Sequence, residues 1–422
     1  MLRPNLLSLA TALVIFSSIA SNARAQYGPP QGGYQHQPLI QLPQSTYQAP
    51  IVDHYVQQPP RLWDSEQPIE KFLTEVTRRS WIKVEYLHWD FDVAGGDTLG
   101  APVNGIRDLS DTFEGFDNLN GGASVGETLI PTTTSLGISD ASGVRGTWGL
   151  HLNGGEMEMN FFGTEQADGS YDIRNIAAFR PAATPAIGTA IRPNYAIPLL
   201  LNGVPGDTSN LNAIIIDDSL SIGMSSQIWG AEVTLLTDAY LPGEGFKWQW
   251  LGGFRYVSLD ESFNLRGVYN NGGADPDRIT SINSSAVNNV YGPEIGARAS
   301  LVHRWFTLAA TPRVTFGLND YTTHLQEDAL GAGVTNSSTS EEIDFSTITQ
   351  LNLTGEVHVN THLSFYAGYD FMWMPRVSRP NTNIRYDSTN SAAGGFVTNI
   401  GLVPELENFI VEGVSLGAVF RY

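Results

Sequence analysis

The chain has 422 residues, with 23 Lys and Arg against 43 Asp and Glu, a formal net charge of −20, and no Cys. So acidic a chain repels phosphate backbones and lacks the main driving force for nucleic-acid binding, and without thiols there is no disulfide framework, thiolate metal site or cysteine nucleophile. Charged residues make up only 16% and glycines number 43, which points to Gly-rich β architecture rather than a helical enzyme.

The N-terminus reads as an export signal, residues 1–25. Arg3 supplies a positive start, Leu6 to Ala20 an apolar stretch too short to span a bilayer, and Ala23-Arg24-Ala25 an A-x-A site that sets cleavage between Ala25 and Gln26. No later apolar run is long enough for a spanning helix, so a membrane passage would have to be a β-barrel. Residues 26–65 are rich in Gln, Pro and Tyr and hold too little apolar surface to order themselves; they read as a flexible periplasmic segment. Residues 66–80 predict a short amphipathic surface helix, because Ile69, Phe72, Leu73 and Val76 fall on one face at helical spacing.

From Trp81 onward, residues 81–422, the hydrophobic period becomes two. In Phe246, Trp248, Trp250, Phe254 and Tyr256 one face is aromatic, while Lys247, Gln249 and Arg255 carry the polar side chains between them. Ten such segments are predicted: Trp81 to Asp92, Val144 to Leu152, Gly155 to Gly163, Leu220 to Leu236, Phe246 to Tyr269, Val287 to Val302, Trp305 to Asn319, Ile343 to Val359, Leu363 to Met374, and Phe409 to Tyr422. Short and long connections alternate between them. This is the pattern of an all-β, antiparallel up-and-down transmembrane barrel, with short periplasmic turns and long extracellular loops; twelve strands is the alternative count.

Turn chemistry sets an expected register. Asn153-Gly154 predicts a two-residue hairpin that pairs Leu152 with Gly155, and Asn360 to His362 a three-residue turn. A two-residue turn at His303-Arg304 pairs Val302 with Trp305 and sets Glu294 opposite Arg313. The first strand changes parity, with Val84 and Tyr86 on one face and Leu87, Trp89 and Phe91 on the other, which predicts a bulge near Tyr86. At the other end Leu416, Ala418, Phe420 and Tyr422 alternate on the apolar face, resembling the C-terminal recognition strand of outer-membrane proteins inserted by the barrel assembly machinery.

The residues also resemble a family, the putative beta barrel porin-7 family of bacterial outer-membrane proteins. The resemblance lies in Trp81-Ile-Lys-Val-Glu-Tyr-Leu-His-Trp89, Gly143-Val-Arg-Gly-Thr-Trp-Gly149, Gly252-Gly-Phe-Arg-Tyr256 with Glu261, and Tyr291-Gly-Pro-Glu-Ile-Gly-Ala297. It is plainest in Gly368-Tyr-Asp-Phe-Met-Trp373 running into Val377-Ser-Arg-Pro380, where Asn381 stands in place of an expected Gly. The family implies a porin by architecture and an outer-membrane location, without naming a solute.

Catalytic motifs are lacking: the sequence has no P-loop, no G-x-S-x-G elbow and no H-E-x-x-H. His362-Leu363-Ser364 falls at a periplasmic turn, the wrong end for an outer-membrane phospholipase. An omptin-like rim protease would need acids and a His at the outer rim, where Asp90, Asp92, Asp320, His324 and Asp370 are expected. Asn270 to Asp277 has no spaced ligand set for Ca²⁺ and reads as a solvated loop. The chain is therefore read as a non-enzyme without cofactor or metal.

Parity assigns Lys83, Glu85, Arg145, Glu156, Glu158, Lys247, Arg255, Glu294, Arg298, Arg313, Glu356 and Asp370 to the lumen. They either line a narrow polar path for small solutes or fill the barrel as ion pairs. Two functions follow: a narrow porin-like or structural outer-membrane protein, or a surface-binding protein displaying the loops Val93 to Ser142 and Thr164 to Ser219. The expected partners are outer-membrane lipid, the barrel assembly machinery and small polar solutes.

Overall fold

The computed structural model describes residues 68–92, 140–174, 197–201, 212–240, 245–270, 277–328, 335–390 and 396–422, with short pieces at 99–100, 112–114, 127–129, 133–136, 138 and 176. The expected signal peptide, the Gln/Pro/Tyr-rich segment and most of the Asn270 to Asp277 loop lie outside these residues.

Helix α1 covers Pro68–Arg78. Ten long strands follow: β1 Ser80–Phe91, β2 Ala141–Leu152, β3 Gly155–Thr164, β4 Ser219–Thr237, β5 Gly245–Tyr269, β6 Arg278–Val302, β7 Phe306–Asp328, β8 Asn336–His358, β9 Leu363–Ser378 and β10 Leu406–Arg421. Each pairs antiparallel with its neighbour in sequence, and β1 pairs with β10, so the sheet closes into one ring and the twelve-strand alternative falls. Closure matters because an open edge would leave backbone groups unsatisfied in lipid. No helix among the described residues is long and apolar enough to cross a membrane.

The outer wall changes character along each long strand. On β5 the outward side chains Phe246, Trp250 and Phe254 are exposed, and above Tyr256 they give way to Asp260, Ser262 and Asn264. The apolar stretch matches the roughly 9 to 11 residues that a tilted strand needs to cross a bilayer. Strands β4 to β8 continue beyond it while keeping their inward faces buried, as Phe263, Leu265, Ile282 and Leu325 do. The aromatic alternation therefore marks only the membrane section, which is why β6, β7 and β8 are longer than their sequence patterns suggest.

Two hairpins have the expected register, with Leu152 opposite Gly155 and Val357 opposite Phe365. The third differs. His303 and Phe306 exchange backbone hydrogen bonds at 2.9 and 3.2 Å, so Arg304 and Trp305 occupy the turn and Val302 faces Thr307. Glu294 consequently lies opposite Thr315, and Arg313 opposite Gly296. Trp305 gains a place among the exposed aromatics at the short-turn end, with the Arg304 guanidinium 4.9 Å from its ring centroid. The slip is two residues, so both faces keep their environments.

Strand β1 has no bulge. Its register runs unbroken against both β2 and β10, and Lys83, Glu85, Leu87, Trp89 and Phe91 all point inward. The parity change in the sequence reflects a change of the interior from charged to apolar, not a change of face.

Candidate functional site

The interior is layered. Nearest the short turns lies a charged vestibule, a cavity of about 370 Å³ lined by Lys83, Arg145, Glu156, Glu158, Lys247, Arg255, Arg298, Arg313 and Glu356, among others. Glu85, Glu294 and Asp370 are buried behind them. All twelve side chains assigned inward by parity thus stand on the lumen side.

Their pairing follows from which strands face each other. Arg145 on β2 reaches Glu85 on β1 with Nε and Nη2 at 2.7 and 2.9 Å, and Asp370 on β9 with Nη1 and Nη2 at 3.1 and 3.0 Å. Lys83 adds a contact to Glu85 at 3.1 Å, Trp89 Nε1 donates to Asp370 at 3.3 Å, and Asn352 also donates to Asp370. A second cluster sets Arg313 2.6 Å from Glu232 and 3.6 Å from Glu294, with Arg255 3.6 Å from both acids and donating to Gln350. So the Glu294–Arg313 contact persists as a diagonal pair despite the shifted register. Nearer the mouth, Arg298 crosses to Glu158 at 2.8 and 2.7 Å, and Arg421 meets Glu356 at 2.5 Å. Buried charges are tolerated only when paired and hydrogen-bonded, and here acids and bases interlock around the ring.

Above the vestibule the lumen is apolar. Leu87, Trp89 and Phe91 of β1, Phe162 of β3, Ile228 of β4, Val257 and Leu259 of β5, Val290 of β6, Ile348 of β8, Met372 and Met374 of β9, and Phe409 and Val411 of β10 pack into one buried cluster. A hydrated ion or polar solute entering this layer would lose its water without gaining polar partners.

On the outer side of that layer the tail of β9 turns inward. The register breaks between Met374 and Val377, and Arg376 adopts a positive φ of 61°. Successive residues then meet successive strands. Ser346 Oγ of β8 donates to the Pro375 carbonyl at 2.6 Å, Asn319 Nδ2 of β7 to the Arg376 carbonyl at 3.2 Å, and Asn288 Nδ2 of β6 to the Ser378 carbonyl at 2.7 Å. Arg379 completes the crossing at Glu261 of β5, with bonds of 3.0 and 2.8 Å, and both side chains are 0% exposed. The chain thus forms a strap across the lumen. Its Arg379 guanidinium lies 5.1 Å from the centroid of the Phe409 ring in the layer below.

Further out, the paired segments Ile197–Leu201 and Asn212–Ile216 bury Ile197, Leu199, Leu201, Ile214 and Ile216 against Phe263, Leu265, Ile282 and Leu325. Gly267 makes room for this hairpin: a Cβ there would lie 2.4 Å from Ile216 Cδ1.

The expected rim acids and His are not brought together. Asp370 is buried inside the wall beside Arg145, whereas Asp90 and Asp320 lie on its exposed face, and His324, also facing outward, bonds to Thr339 Oγ1 at 3.1 Å. His362 contacts the Arg421 carbonyl at 2.9 Å, and Ser364 is fully buried. Ser364 Oγ and Glu356 both approach His358 through Nδ1, at 3.1 and 3.4 Å, so the ring cannot relay a proton between them. No group of three or more His, Asp or Glu among the described residues is arranged to hold a metal ion.

Sequence reasoning overlooked Glu232, Arg421 and the Glu261–Arg379 pair. Glu232 shares parity with Ile222, Met224 and Ile228, an apolar face that is the interior of the outer half, so parity does not single it out. Glu261 has the inward parity of Arg255, but its partner is 118 residues away on the strap, beyond the reach of any strand register.

Residues 81–422 match the model of the family described as Putative beta barrel porin-7. No curated protein matches the sequence. Among solved structures, the Escherichia coli outer membrane protease OmpT aligns at 9% identity over 82% of this chain and 97% of that one, with a TM-score of 0.41. A Pseudomonas aeruginosa FadL homologue aligns at 10% identity over 81% and 90%, with a TM-score of 0.19. Both similarities are too slight to bear on function. The family match spans the whole barrel, and the chain belongs to the putative beta barrel porin-7 family of outer-membrane β-barrel proteins.

Proposed function

We propose that this protein is a sealed outer-membrane anchor, acting through what it displays outside the membrane rather than by passing solutes through its lumen. The observation that carries this reading is the blind vestibule: its charged walls end at the apolar layer of Leu87, Val257, Leu259 and Phe409. The alternative, a narrow polar passage for small solutes, requires a continuous file of inward polar groups. On β5 that file stops at Arg255 and resumes only at Glu261, which the strap already occupies. The extension of β4 to β8 past the apolar belt gives the outer side a rigid base for surface binding. Export by residues 1–25 into a bacterial envelope and insertion by the assembly machinery belong to the same proposal, as does the absence of catalytic chemistry. Planar-bilayer recording of refolded protein tests it. Silent membranes containing folded barrel are expected, and stable single-channel steps would overturn the reading in favour of passage.

A further inference from the structure

Helix α1 leaves its apolar face uncovered. Phe72 and Leu73 are 66% and 56% exposed, and with Val76 they form one side of the helix, opposite Thr74 and Arg78. Two large apolar side chains held out on a short helix are unfavourable in water and call for a partner.

The position of the helix identifies that partner. It ends one residue short of Ser80, and Arg79 is tied to the short-turn end of the barrel: its carbonyl accepts from His151 N at 2.9 Å, and its Nη1 donates to Asn153 Oδ1 at 3.2 Å. The Ser80 carbonyl accepts from Tyr422 N at 3.4 Å. Tyr422 belongs, with Phe420, Trp305 and Phe306, to the exposed aromatics at the inner end of the lipid-facing belt. Aromatic belts of this kind mark the interface between head groups and acyl chains. Helix α1 therefore leaves the wall at the level of the inner leaflet, and its uncovered face continues a surface that already meets lipid. A Glu75–Arg79 ion pair at 2.5 Å braces its last turn.

We propose that α1 is an interfacial helix lying along the inner leaflet of the outer membrane, with Phe72 and Leu73 inserted at the acyl boundary and Thr74 facing water.

The absence of Cys allows a direct test on the full chain. An environment-sensitive fluorophore is attached to Phe72→Cys or, on the opposite side, to Thr74→Cys, and the protein is refolded into phosphatidylcholine–phosphatidylglycerol vesicles. The label at 72 is expected to emit further to the blue, to be quenched by lipids carrying a nitroxide near the head group, and to be shielded from iodide; the label at 74 should show the reverse. Because Phe72→Cys itself removes an anchor, Leu73→Cys repeats the measurement, and adding Phe72→Asp should return its label to water. Quenching at 72 and 73 by iodide would overturn the proposal. Shielding from both quenchers would overturn it too, since it would place the helix in the vestibule or against a second copy.

Discussion

The two halves of the lumen solve the same problem in opposite ways. In the inner half, paired charges line a cavity that opens at the short turns. In the outer half, the same strands turn aliphatic and aromatic side chains inward, and the strap and the paired segments Ile197–Leu201 and Asn212–Ile216 fill what remains. The difference shows that an inward position in this barrel is not by itself a polar one. What water can reach is polar; what the strap and outer loops cover is a core like that of a soluble protein.

The largest effect is expected at the seam that both halves depend on. Phe420 pairs with Ile82 of β1 and Leu363 of β9. Deleting Phe420 to Tyr422 should therefore leave export intact and abolish most of the heat-modifiable, folded barrel in membrane fractions, because the ring loses pairing on both sides. Normal assembly of the truncation would mean that closure does not need this end of the strand.

The contrast between dry and wet charges is testable by removing one acid from each half. Glu261→Ala leaves Arg379 buried without its counter-ion and should destabilise the barrel by about 3–5 kcal/mol. Glu158→Ala leaves Arg298, whose side chain is 22% exposed against 0% for Arg379, in a vestibule that water reaches, and should cost less, about 1–3 kcal/mol. Urea unfolding in lipid vesicles reads both. Equal losses would erase the distinction between the halves.

A smaller effect sharpens the inner network. Arg313 lies closer to Glu232 than to Glu294, at 2.6 against 3.6 Å. Double-mutant cycles with alanine should thus give the larger coupling for Arg313 with Glu232, within the roughly 0.5–3 kcal/mol range of contacting pairs. A larger coupling to Glu294 would restore the register in which those two residues stand directly opposite.

Much of this architecture could be read from the sequence, because alternation, turn residues and strand spacing are local signals. The ten strands, the Asn153-Gly154 hairpin and the apolar exterior all rest on them. The turn after His303 lies one residue later than its sequence suggests, shifting the register by two, because Trp305 has strand-like chemistry yet sits at the tip, where the aromatic girdle accepts it. The parity change in β1 suggests a bulge because apolar residues occur at both parities; Leu87 and Trp89 belong to the apolar layer, which only the assembled ring creates. The strap is harder still to foresee. Ser378 and Arg379 meet Asn288 and Glu261 through a tail that leaves the sheet, so no pairing rule connects them.

The most direct test of the sealed lumen uses the Cys-less background once more, with one cysteine in each half of the same inward face of β5. Gln249→Cys lies in the vestibule lining and Leu259→Cys in the apolar layer. In oriented membranes, a charged, membrane-impermeant maleimide should modify Gln249→Cys from the short-turn side alone and leave Leu259→Cys unmodified from either side. Modification of Leu259→Cys, or of Gln249→Cys from the long-loop side, would contradict a closed barrel and reinstate a continuous aqueous path.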